Sequence, residues 1–264
     1  MRGLASFKKT IWSHYRKHRR DFPWRNPDAT SDPYKIIVSE IMLQQTQAKR
    51  AVSKYESFIQ RFPDWQTLNK ASTADVLREW QGLGYNRRAL YLHRIAQLFP
   101  SGNITPNDIA AGKLPGIGPN TKGSVLAFAW NIPRPFIETN IRSVFIHFFF
   151  KNKKSVDDKS ILTLVTETLD HKNPREWYYA LMDYGAYLKA GGNGAQENPS
   201  RKSKHHTKQS KFKGSNRELR GAIVRSILAG TRDKKILIKK FSNKFNKEQV
   251  AETVQALDSE GFFA

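Results

Sequence analysis

The chain has no cysteine among its 264 residues. That excludes disulfides, thiol nucleophiles and any iron–sulfur or zinc site built on thiolates. It also has no apolar run of ~18 residues and no secretory core segment, so neither a membrane span nor a signal peptide is expected. The opening M-R-G-L-A-S-F-K-K is basic but too short and polar for either. Acidic residues are scarce: 23 Asp and Glu face 45 Lys and Arg, a formal charge of +22. Such a balance calls for a polyanionic partner. Nucleic acid is the first choice and an anionic membrane surface the second. Charge alone carries no sequence preference and no chemistry. The hydrophobic fraction of 39% and the aromatic fraction of 12% are those of a folded chain. A cytoplasmic, nucleoid-associated monomer is the expectation, with no metal-binding group foreseen.

What is present reads as helix after helix. Asp32-Pro33 has the form of an N-cap followed by proline at the first helical position. Apolar residues then recur at helical spacing through Ile36, Ile37, Ile41 and Leu43 and, after a break, Tyr55, Phe58 and Ile59. A-S-T-A-D-V-L-R-E-W reads as a helix capped by Ser72 or Thr73. R-R-A-L-Y-L-H-R-I-A-Q-L-F and T-K-G-S-V-L-A-F-A-W read the same way. I-R-S-V-F-I-H-F-F-F is rich enough in β-branched and aromatic residues to imitate a strand, but its neighbours favour helix.

Composition shifts after Lys189. Residues 191–215 are rich in Gly, Ser, Asn and Lys and read as a basic linker or arm. Three short helical patterns follow in 216–264, like a helix-turn-helix unit without its wing. From Ser200 onward sixteen Lys and Arg outnumber six Asp and Glu. This tail is either a DNA-binding arm or a solubilising one.

L-P-G-I-G-P-N-T-K-G, Leu114 to Gly123, is the most specific local signal. Pro115, Gly116 and Gly118 suit a tight hairpin in which glycine takes positive φ. A helix starting near Asn120 would then present free N–H groups to an anion such as a phosphate. An ordinary glycine turn between helices is the alternative. With this segment, F-P-W-R, D-P-Y-K-I-I-V-S-E-I-M-L-Q-Q-T-Q, W-Q-G-L-G-Y-N-R-R-A-L-Y-L-H, I-E-T-N-I-R-S-V and L-M-D-Y-G-A occur in an order and spacing that resemble the helix-hairpin-helix DNA glycosylases. Within that superfamily they most resemble the adenine DNA glycosylases, over roughly residues 7 to 189. The resemblance implies an all-α, two-lobed helix-hairpin-helix domain over 1–190 with its active site between the lobes. It is followed by the 191–215 arm and a short basic helical domain. Double-stranded DNA is the implied partner.

The resemblance assigns roles residue by residue. Glu40 matches the general acid that protonates N7 of an extruded adenine; burial on an apolar helix is how such an acid gains a raised pKa. Gln44, one helical turn on, would bond a base edge without adding charge. Gln45 matches the wedge that enters the duplex where the base has left. Tyr85 resembles the tyrosine that intercalates on the other strand. Thr46 and Leu83 join them as DNA contacts, with Leu114, Gly116, Gly118 and Lys122 of the hairpin and Arg201 and Lys202 of the arm. Taken singly, Glu40 could be a structural carboxylate and Tyr85 a core aromatic. Trp24 and Arg25 either line the pocket or close the core. Asp183 either reaches the base through a relay or caps a helix. Glu40 or Asn140 would hold the attacking water.

Several positions depart from the resemblance. Glu138 stands in I-E-T-N where relatives carry Asp to stabilise the oxocarbenium ion. A carboxylate is retained, one methylene longer, and a helix-capping role competes with the catalytic one. Asn120 stands where bifunctional members place a Schiff-base lysine, and Lys122 is rotated about 200° from it around a helix. A monofunctional hydrolase is therefore expected. Lys189 falls where the first cluster cysteine would be, so no iron–sulfur cofactor is expected. The sixty-odd C-terminal residues are too few for the Nudix-like domain that reads 8-oxoguanine. The resemblance also allows a monovalent cation on the hairpin carbonyls. Other readings are a glycosylase for hypoxanthine, uracil or thymine, or a non-catalytic binder of damaged DNA.

Overall fold

A computed structural model describes residues 2–194, 198–207 and 211–263. Fifteen α-helices occur among them. They are α1 (Arg2–His18), α2 (Pro27–Thr30), α3 (Pro33–Leu43), α4 (Ala48–Arg61), α5 (Trp65–Lys70), α6 (Thr73–Glu79), α7 (Arg87–Leu98), α8 (Pro106–Ala111), α9 (Pro119–Trp130), α10 (Thr139–Phe149), α11 (Asp158–Thr168), α12 (Pro174–Lys189), α13 (Asn216–Leu228), α14 (Lys234–Phe241) and α15 (Lys247–Ser259). No named β-strand occurs among the described residues; the one bridge there joins Val156 to Ser203. The fold is all-α, and I-R-S-V-F-I-H-F-F is helical as its neighbours suggested.

Local chemistry explains where the helices begin. Asp32 Oδ1 accepts from Tyr34 N at 2.9 Å at the head of α3. Ser72, not Thr73, caps α6 by accepting from Asp75 N. Thr105 and Asp108 form a reciprocal capping box on α8.

The chain divides into two compact units, 1–40 with 104–207 and 41–103 with 208–264. In the first, α10 and α12 pack together over a core that includes Phe7, Ile11, Phe128, Phe145, Trp177 and Leu188. Two glycines permit the close approaches that this core needs. A Cβ on Gly185 would lie 2.4 Å from the Asn140 carbonyl oxygen, and one on Gly123 would lie 2.6 Å from Phe136 Cβ. These contacts bring α12 and α9 against the segment that carries Glu138.

In the second unit Phe58 meets Trp80 edge-on at 5.9 Å, and Leu219, Ile223, Leu237, Val250 and Leu257 are buried. The three C-terminal helices belong here. Glu260 accepts from both Arg87 of α7 and Arg220 of α13. Part of the stretch expected as a linker is ordered in the first unit. Val156 N donates to Lys202 O at 2.8 Å, Lys204 N donates to Val156 O at 2.9 Å, and Ser200 and Ser203 are buried. Residues 195–197 and 208–210 of that stretch lie outside the described residues.

Candidate active site

Glu40 occupies the last full turn of α3, a helix buried nearly all round through Ile36, Ile37, Val38, Ser39, Ile41 and Met42. The carboxyl is itself largely enclosed, and this desolvation drives its pKa from the ordinary carboxylate range to about 7. A hydrogen bond from Ser124 opposes the rise, the charge of Glu138 adds to it, and Arg25 opposes it weakly. Ser124 is a buried residue of α9 whose Oγ meets Glu40 Oε2 and lies 3.0 Å from Thr121 O. Tyr179 of α12 also senses the Glu40 charge, and its buried hydroxyl has no hydrogen-bond partner among the described residues.

Glu138 caps α10. Its Oε1 accepts from Asn140 N at 2.6 Å and Ile141 N at 2.9 Å, and its Oε2 accepts from Asn140 Nδ2 at 3.1 Å. The capping role that competed at the level of sequence is therefore real. The added methylene lets the side chain fold back onto the first turn. Burial pushes the carboxyl above its ordinary range, while the Lys189 ammonium and the three donors pull it down. Lys189 Nζ donates to Asn140 Oδ1 at 2.8 Å. Lys189 thus bonds Asn140 and acts on the Glu138 charge without a direct hydrogen bond to it among the described contacts. Asn120 Oδ1 accepts from Ile137 N at 3.2 Å, tying the start of α9 to the residue before Glu138.

Asp183 is buried in the middle of α12, which removes the helix-cap alternative. It accepts from Arg20 N at 2.9 Å and Arg20 Nε at 2.7 Å, and takes Arg25 in a fork at 3.0 and 2.9 Å. The Arg25 guanidinium also stacks over Tyr179, 4.3 Å from the ring centroid. Trp24 is buried and stacked on Phe22 at 4.9 Å. Arg25 remains near enough to Glu40 to act on its charge.

The turn after α3 departs from expectation. The helix stops at Leu43, so Gln44 is not the next residue of a continuous helical face. The cause is Arg88, a buried guanidinium on α7. Its Nη1 reaches the carbonyls of Ile41, Met42 and Gln44, and its Nη2 reaches Thr46 Oγ1 and the carbonyls of Leu83 and Gly84. One side chain thereby ends α3 and clamps two turns together. Burial lowers its pKa to about 10. Each clamped turn holds a left-handed non-glycine residue, Gln45 at φ 55° and Tyr85 at φ 47°. Gln45 is exposed and Tyr85 is 37% exposed, so Tyr85 is no core aromatic. Leu83 is buried beneath it.

At the hairpin, Gly116 takes φ +76° as expected, whereas Gly118 is the N-cap of α9 at an ordinary φ of −79°. Leu114 is buried, which leaves the backbone as the part of that residue available to a ligand. Lys122 Nζ donates to Ala110 O at 2.8 Å, closing the end of α8. Lys202 Nζ donates to Lys151 O at 2.6 Å, while Arg201 is exposed.

Ser124, Arg88, Lys189 and Tyr179 were not singled out by sequence reasoning as site residues. Arg88 had a signal: it shares a helical face with Leu92 and Ile95, both buried. The others had none, because their partners lie at least 49 residues away in the chain.

This arrangement has relatives. Residues 38–167 match the profile described as HhH-GPD superfamily base excision DNA repair protein. Over those residues the chain is similar to that superfamily. It is 35% identical over 190 residues to the adenine DNA glycosylase of Buchnera aphidicola subsp. Baizongia pistaciae, covering 69% of this chain and 52% of that one. It is 39% identical over 146 residues to the adenine DNA glycosylase of Mycobacterium tuberculosis, covering 54% and 47%. The chain therefore spans about half the length of these curated relatives. The solved structure of a thermostable thymine-DNA glycosylase shares the fold, with a TM-score of 0.64 at 24% identity over 76% of this chain and 95% of that one. Among the described residues no helix is long and apolar enough to cross a membrane, and no group of metal-binding side chains occurs.

Proposed function

We propose that this chain is a monofunctional DNA glycosylase of the base-excision superfamily it resembles, hydrolysing the N-glycosidic bond of a mismatched adenine in duplex DNA. The observation that carries the reading is Glu40, a carboxyl enclosed enough to stay protonated near neutrality and electrostatically coupled to a second buried carboxyl, Glu138. The names of the relatives and the excess of positive charge support the substrate class.

The steps follow from the residues. The backbone at the Leu114–Gly118 hairpin and the start of α9 grips a phosphate without reading a base. Gln45 and Tyr85, held in left-handed turns by Arg88, occupy the space that the extruded base leaves and offset the cost of unstacking. Glu40 gives its proton to N7 of adenine. The C1′–N9 bond breaks, and its electron pair passes into the protonated purine. Glu138, whose charge Lys189 and the α10 N–H groups favour against the effect of burial, steadies the cation left on the sugar. Water then adds to C1′ and its proton returns to the Glu40 carboxylate, leaving an abasic site. Asn140, bonded to Glu138 and Lys189, is the residue to which this reading gives that water. Cytoplasmic DNA, a monomeric enzyme and a monovalent cation on the hairpin carbonyls complete the reading.

A second reading has a specific observation behind it. Both Glu138 oxygens are engaged by the α10 cap, which suits a protein that binds mismatched DNA without cutting the glycosidic bond. Duplexes carrying A·G, A·8-oxoG, G·T, G·U or a hypoxanthine pair, followed by alkali, separate the two. Strand breakage at adenine only after alkali is the expected result. No breakage with any substrate favours the binder, and breakage before alkali overturns monofunctionality.

A further inference from the structure

None of the 17 residues of α1 is acidic. Its apolar residues Phe7, Ile11 and Tyr15 are buried in the core of the first unit. The stripe beside them, Ser6, Lys9, Ser13, His14, Lys17 and His18, keeps helical spacing and is polar throughout. A solvated stripe normally mixes signs so that charges pair one turn apart. Every ionisable group in this one is a base.

The stripe faces Tyr184 and Tyr187 of α12 across a cavity of about 400 Å³, and no acidic side chain lines it. The facing wall is fixed by its own contacts. Asn193 takes a left-handed φ of 54° and donates its backbone N–H to Tyr187 Oη at 3.1 Å. Its side-chain amide lies 3.1 Å from His147 Nε2 and donates to Tyr184 Oη at 3.3 Å. Gly192 is pressed against the Tyr187 ring, where a Cβ would come within 2.3 Å. The His14 ring packs 4.7 Å from Tyr187, 4.9 Å from Tyr184 and 5.0 Å from His18. Lys9 and Lys17 have no hydrogen-bond or ion-pair partner among the described residues. Ammonium, imidazole and hydroxyl donors thus share one space with no anion to balance them, the setting that a phosphate group answers. The volume exceeds that of a bare phosphate. It leaves room for an attached sugar and base, with Tyr187, 42% exposed, as a ring surface.

We infer that the groove between α1 and the end of α12 is an anion site that takes the phosphate group of a nucleotide, with Lys9, Lys17 and the His14–His18 pair as its donors. Protons govern such a site. Burial and then His18 hold His14 below its ordinary range, while Asp183 on α12 opposes them. His147 on α10, behind Asn193, is lowered by burial and by Lys151. Lys9, Lys17, Tyr184 and Tyr187 are the other titratable groups around the cavity. A bound anion favours the imidazolium forms, so binding takes up protons and tightens as pH falls.

The test reads the histidines directly. Ring-proton NMR follows the full chain between pH 5 and pH 8 at fixed ionic strength, in chloride and with deoxyadenosine 5′-phosphate. The nucleotide is expected to raise the titration midpoints of His14 and His18 by about one unit and to leave His171, outside the groove, unmoved. Affinity should be about tenfold higher at pH 5.5 than at pH 8, and Lys9→Gln with Lys17→Gln should cost about tenfold. Movement with the nucleotide but not with a thymidine decamer assigns a free or terminal phosphate. Movement with the decamer assigns a strand backbone. No movement beyond that in chloride, equal movement of His171, or full affinity in the double variant overturns the inference. These readouts need no glycosidic activity, so their failure leaves the proposed function standing.

Discussion

Ser124 and Glu40 share a hydrogen bond across α9 and α3, and the same Ser124 oxygen lies 3.0 Å from the Thr121 carbonyl. A hydroxyl has one proton. When Glu40 is protonated, it donates to Ser124 and Ser124 donates to Thr121 O, satisfying every group. When Glu40 is ionised, Ser124 turns its proton to the carboxylate. Ser124→Ala removes the contact that favours the ionised form. The alkaline limb of the pH–rate profile should move above the wild-type value near 7, with a several-fold loss at the plateau. An unmoved limb would assign Ser124 to packing alone.

Glu40 should govern both rate and stability. The acid works only while protonated, so kcat is expected to fall as pH rises through about 7. Its folded pKa is raised above the unfolded one. Its contribution to stability is therefore fullest below the ordinary carboxylate range and lost as pH rises through the folded value. Glu40→Gln should abolish adenine release and leave duplex binding nearly intact. It should also be more stable than wild type at pH 8, by about 3 kcal/mol, and nearly equal at pH 4.5. Urea unfolding at the two pH values checks the sign.

Glu138 carries a cap and a charge that can be separated. Glu138→Asp keeps both, since Asp is a preferred N-cap, and should retain activity within about tenfold. Glu138→Ala loses both, with a stability cost of about 1 kcal/mol. Glu138→Gln keeps the size and loses the anion, and its kcat should fall at least a hundredfold with a smaller change in KM. Single-turnover rates beside melting curves distinguish these outcomes.

Arg88 should matter more to stability than any exposed arginine. Arg88→Met strands the carbonyls of Ile41, Met42 and Leu83, and takes one partner each from the carbonyls of Gln44 and Gly84 and from the Thr46 hydroxyl. A loss of about 3 kcal/mol is expected. Hydrogen exchange should rise in 41–46 and 83–88 first. Duplex affinity should fall even under conditions where the variant is folded.

The helices, their caps and the acid on α3 were readable from residue order. Capping and helical periodicity act over three or four residues, so Asp32, Ser72 and the spacing of Ile36, Ile37 and Ile41 carry their own information. Glu40 and Glu138 were picked out by resemblance to glycosylase motifs rather than by any local pattern. Only tertiary structure decided that α3 ends before Gln44, because the donor that ends it is Arg88, 44 residues away from Gln44. It also decided that Ser124 faces Glu40, that Lys189 faces Asn140 and that the C-terminal helices join residues 41–103. A buried polar group takes whichever partner folding brings within reach, and that choice leaves no local pattern in the chain.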